Sequence, residues 1–88
     1  MPRKLEKTLR LMRESPRNVR YRDLCLVCEH YFGSPRQAGS SHRIYRTPWA
    51  GNPRINIQEG ENGMAKVFQV HQVLAALERI ETADELKK

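Results

Sequence analysis

The segment GSPRQAGSSHRIYRTPWAGNPRINI, residues 33–57, decides how this chain folds. Pro35, Gly39, Pro48, Gly51 and Pro53 interrupt it, and each breaks helical continuity. Between the breaks lie two short runs, His42–Arg46 and Arg54–Gln58, that read as strands. Thr47–Pro53 joins them, long for a tight hairpin but rich in turn formers. A further short strand is expected around Pro35–Ala38. Alternation sets His42 and Ile44 on one face and Tyr45 on the other. Either Ile44 turns inward and a bulge re-aims His42, or Tyr45 is the buried residue.

Outward from this segment the periodicity becomes helical. On the N-terminal side Arg22–Phe32 carries Leu24, Val27, Cys28 and Tyr31 at helical spacing, and Gly33 stands where a C-terminal cap belongs. Before it, Arg3–Glu14 places Leu5, Leu9 and Met12 on one stripe and Arg3, Lys4, Lys7 and Arg10 away from it. Ser15-Pro16 ends that helix, because the residue before proline avoids the helical region. On the C-terminal side Gly60-Glu61-Asn62-Gly63 reads as a turn. Phe68–Thr82 follows as a helix with Val70, Val73, Leu74, Leu77 and Ile80 on one face. The order is α-α-β-β-β-α, an α+β domain with antiparallel strands covered on one side by helices.

The chain has 88 residues, enough for one domain with a modest core. Residues 1–22 hold eight basic side chains against Glu6 and Glu14, a balance of +6 that equals the net charge of the whole chain. The stretch from Arg36 to Lys66 adds five cations to two acids, Glu59 and Glu61. That distribution suits a polyanionic partner, or else a solvated helix face. No apolar run reaches the roughly 20 residues of a membrane span, and no secretory leader opens the chain, so no membrane partner and a cytoplasmic location are expected.

Catalytic motifs are sparse. Cys25-x-x-Cys28 has no second cysteine pair and His30 falls on another side of the helix, so the thiols read as small apolar core residues and no metal is expected. Phosphate-loop, dinucleotide and zinc-protease patterns are absent, and no cofactor is implied. His42 stands apart from His30 and His71. It follows Gly39-Ser40-Ser41 and precedes Arg43, Tyr45 and Arg46. Imidazole exchanges protons near neutrality, and flanking guanidinium groups can hold a phosphate and the charge that builds on it. Cleavage of RNA through its own 2′-hydroxyl needs those parts and no metal.

The stretch Gly39 to Trp49, with Arg54-Ile-Asn-Ile-Gln-Glu-Gly60 and Ala65-Lys-Val-Phe-Gln-Val-His-Gln-Val-Leu74, closely resembles the HicA family, the toxin half of HicA–HicB toxin–antitoxin pairs. The resemblance covers about residues 18–81. It implies a small α-β-β-β-α fold like that of double-stranded RNA-binding domains, here with an extra N-terminal helix. It divides the chain into a basic extension over 1–17, a HicA-like domain over 18–82 and a polar tail over 83–88. The implied activity is metal-independent cleavage of mRNA, restrained by a HicB-like antitoxin, with the family's essential histidine at His42.

Arg43, Arg46 and Lys66 are the candidate phosphate contacts, with Arg36 beside them. Ser40 and Ser41 either bond the substrate or serve the tight turn. Trp49 either stacks on a base or packs against the domain or the antitoxin. Many relatives carry a second histidine where Arg43 stands, so a two-histidine mechanism is not available at that pair. The extension grips RNA, grips the partner, or folds back through Leu5, Leu9 and Met12. The same fold without chemistry at His42 is an RNA-binding module, or an inactive partner of a HicB-like protein.

Overall fold

Two helices and a sheet meet on a shared apolar layer, and a third helix seals it from behind. The computed structural model describes residues 3–37, 42–47 and 54–87. Helix α1 spans Arg3–Glu14 and α2 spans Tyr21–Phe32, with a 3-10 turn at Pro16–Asn18 between them. Strands β1 (Arg36–Gln37), β2 (Arg43–Arg46) and β3 (Arg54–Ile57) follow, then a 3-10 turn at Glu61–Gly63 and helix α3, Val67–Lys87. The sheet order is β1-β2-β3 and both pairings are antiparallel.

The helix ends obey local chemistry. Gly33 closes α2 at φ 89°, a conformation open to glycine, and its N–H donates to the Glu29 carbonyl at 3.1 Å. The turn after β3 needs a left-handed residue, and Asn62 supplies it at φ 56°. Helix α3 outruns the expected boundary at Thr82 and continues through Lys87. No proline or glycine follows Thr82 to stop it, and Ala83, Glu85, Leu86 and Lys87 all favour helix. Residues 83–87 of the expected polar tail therefore prolong the helix.

Packing answers the question of the N-terminal extension. Met12 is fully buried, and Leu5 and Leu9 are buried beside it, so α1 folds back onto the domain. It rests on α2 and α3, which rest in turn on β2 and β3. Val19, between the 3-10 turn and α2, is also fully buried, and its carbonyl accepts the Ala65 N–H at 2.8 Å. An isolated bridge between Arg20 and Met64 continues that seam. Cys25 and Cys28 are buried in the same core, and burial raises the pKa of both thiols, keeping them protonated and unreactive.

Tyr45 is the inward residue of β2. Its side chain has no solvent exposure, whereas Ile44 is only half-buried. The ladder from Arg43 to Arg46 runs in continuous register with Ile57 to Arg54, with no bulge among these residues. The Tyr45 ring packs between sheet and α2, and Phe32 lies 6.4 Å from it, ring centre to ring centre.

Candidate nucleic-acid interface

The inward choice of Tyr45 fixes the composition of the opposite sheet face. Ile44 and Arg46 point away from the helices, with Asn56 and Arg54 across from them on β3 and Arg36 across from Ile44 on β1. Among the described residues no helix covers this face. Phe32 and Pro35 extend it at the end of α2, and with Arg36, Ile44, Arg46 and Arg54 they line a concavity of about 430 Å³. Arg36, Arg46 and Arg54 all contribute to it, and no carboxylate does.

Two of those arginines sit where a sheet least favours them. Arg46 and Arg54 are directly opposed across the β2–β3 ladder. Like charges in that relation destabilise an antiparallel pair by a few tenths of a kcal/mol up to about 1 kcal/mol. A third guanidinium on β1, also exposed, adds to the positive field. The other basic hollows described carry their own acids. Lys4, Arg22 and Arg43 surround one that includes Glu29, and Arg20 and Arg22 line one that includes Glu59.

His42 precedes β2 and is half-buried. Alternation carried back from Ile44 puts it on the open face, and four residues of strand separate it from Arg46 by roughly 13 Å. The register carried one step beyond Arg43–Ile57 sets it opposite Gln58. There the sheet is tied to α3, because the Gln58 N–H donates to the buried Gln69 side-chain oxygen at 2.9 Å. Lys66 heads α3 at this same end, its carbonyl accepting the Gln69 and Val70 N–H groups.

The other expected site residues divide. Arg36 and Arg46 come together in the concavity. Arg43 does not join them, since it lies on the helix-facing side of β2 with Tyr45. Its guanidinium sits 5.9 Å from the Tyr21 ring centre and 3.4 Å from the Glu29 carboxylate. A hydrogen bond to Tyr45 raises its pKa further above the ordinary arginine value. Burial pushes the Tyr21 hydroxyl up to about 12 and the Tyr45 hydroxyl higher still, so both stay protonated. The Tyr45 hydroxyl donates to the Cys25 carbonyl at 3.5 Å. Arg43 thus belongs to the seam between β2 and α2. Ser40, Ser41 and Trp49 lie outside the described residues.

Arg54 was not among the expected contacts, although the signal was present. In Arg54-Ile-Asn-Ile57 the two isoleucines claim the inner face, which leaves Arg54 outward. Among the described residues no cluster of His, Cys, Asp or Glu could hold a metal ion, and no helix is long and apolar enough to cross a membrane. No family model, curated protein or solved structure matches the chain.

Proposed function

We propose that the chain binds RNA across the open face of its sheet and cleaves it there, as a ribonuclease of the HicA type. The observation that carries this reading is an acid-free arginine cluster on the open sheet face, with His42 immediately preceding the strand that supplies Ile44 and Arg46 to it. The order α2-β1-β2-β3-α3 agrees with the double-stranded-RNA-binding-domain-like architecture that the sequence resemblance implies, with α1 added in front.

In the proposed reaction the ribose 2′-oxygen attacks the adjacent phosphorus as the bond to the 5′-oxygen breaks. A 2′,3′-cyclic phosphate and a 5′-hydroxyl result, and no water or metal enters the step. His42 takes the proton from the 2′-hydroxyl or delivers one to the leaving 5′-oxygen. The guanidinium groups of Arg36, Arg46 and Arg54 along the same face hold the RNA backbone beside the reacting phosphate. The substrate is mRNA, the restraining partner is a HicB-like antitoxin, and the setting is the cytoplasm.

One observation favours a second reading, binding without cleavage. Arg36, Ile44, Arg46, Arg54 and Asn56, the described open-face positions beyond His42, include no group that exchanges protons near neutrality. Incubating the purified chain with mRNA in excess EDTA separates the two. The enzyme reading expects fragments ending in 2′,3′-cyclic phosphate. Intact RNA that the protein nonetheless retards on a gel would decide for binding alone.

A further inference from the structure

We propose that the concavity lined by Arg36, Arg46 and Arg54 is a nucleotide subsite separate from the bond cut at His42. It would hold a backbone phosphate on the guanidinium groups and an unstacked base against Phe32, Pro35 and Ile44. The inference rests on the RNA-binding reading above and adds which nucleic acid the face accepts: single strands in preference to duplex.

Three features carry it. The volume, about 430 Å³, lies within the range of about 300–1,000 Å³ that small-ligand sites occupy. Its lining is divided, apolar at Phe32, Pro35 and Ile44 and cationic at the three arginines. A phosphate with its attached base has that same division. A base inside a duplex is stacked and cannot enter a concavity, whereas a splayed single-stranded base can. The directly opposed Arg46 and Arg54 complete the argument. Their repulsion works against the free fold and is relieved by an anion, which is how a binding site differs from an incidental basic surface.

Along β2, Ile44 lies roughly 7 Å and Arg46 roughly 13 Å from His42, about two to four stacked nucleotides at 3.4 Å each and fewer in an extended strand. The subsite therefore positions RNA at a distance from the reacting phosphate.

The variant Arg54→Glu tests this because it moves two quantities in opposite directions. Facing Arg46, a glutamate replaces repulsion with attraction, so the free protein melts at a higher temperature. At the same time the site loses a phosphate contact and gains a negative charge. The probe is a uridine dodecamer with every 2′-hydroxyl methylated, which cannot be cut through its own hydroxyl. It is offered as a single strand and annealed to its complement, with binding followed by fluorescence anisotropy in EDTA. The parent should prefer the single strand by about tenfold or more, and Arg54→Glu should lose about tenfold on it. Arg10→Ala, on the outer face of α1, should match the parent. Equal binding of strand and duplex, or unchanged binding by Arg54→Glu, overturns the subsite and leaves the RNA-binding reading standing. Failure of the parent to bind either form at low salt overturns both.

Discussion

Replacing His42 by alanine is expected to slow RNA cleavage about 10²- to 10⁴-fold, the usual contribution of one positioned proton-transfer group. The effect should fall on chemistry more than on binding. His42 lies outside the β2 ladder and is only half-buried, so its loss removes neither a strand pairing nor a core contact. Arg36, Arg46 and Arg54, the residues proposed to hold phosphate, are untouched by the substitution. Binding of the methylated single strand should accordingly stay within a fewfold of the parent, with an unchanged far-ultraviolet circular dichroism spectrum. Cleavage rates in EDTA, measured on parent and variant purified side by side, check this. Equal rates would place the chemistry elsewhere, and a collapse of binding together with cleavage would make His42 a contact.

A second large effect is expected one layer away. Tyr45→Ala should destabilise the domain by about 3–5 kcal/mol, the range for removing a buried aromatic side chain. Tyr45 is fully buried between sheet and α2, it packs on Phe32, and its hydroxyl reaches the Cys25 carbonyl. Native stabilities of about 5–15 kcal/mol leave little margin for such a loss. Its neighbour supplies the contrast. Ile44→Ala, on the open face, should cost about 1 kcal/mol or less because the side chain is only partly removed from water. Urea titrations of the two variants should show a large drop in midpoint for Tyr45→Ala and a small one for Ile44→Ala. Similar losses would mean that Ile44 shares the core. The order of the two losses thus tests which face of β2 is inward, and with it the placement of His42 and the arginines.

Much of this architecture is legible in the sequence because helical periodicity is local. Leu5, Leu9 and Met12 define the buried stripe of α1, and Val70, Val73 and Leu77 define that of α3. Strand faces are harder to read. In His42-Arg-Ile-Tyr-Arg46 an isoleucine and a tyrosine compete for the inside, and four residues of alternation cannot rank them. The winner depends on the space left by α2, which is tertiary. Arg43 followed Tyr45 to the inner side, where Glu29 and Tyr21 receive it, so adjacency in sequence to His42 did not make it a neighbour on the open face. Arg54 shows the reverse case. It is remote from His42 in sequence, yet the β2–β3 register brings it against Arg46.

Val19 and Gln69 escaped for a related reason. Neither belongs to a strong local pattern, and each is explained by a partner far along the chain. Val19 is buried where its carbonyl meets the Ala65 N–H, and Gln69 is buried where its side chain caps Gln58. A polar residue on the apolar stripe of α3 is tolerated there because that hydrogen bond satisfies it.

A backbone amide spectrum of the labelled protein, titrated with the methylated single-stranded dodecamer, reads out whether RNA sits on the open face of the sheet. Shifts are expected to gather at Arg36, Ile44, Arg46, Arg54 and His42, with the amides of α1 nearly still. Shifts gathered instead along Lys7, Arg10 and Arg17 on the helical side, with the sheet face silent, would contradict that placement.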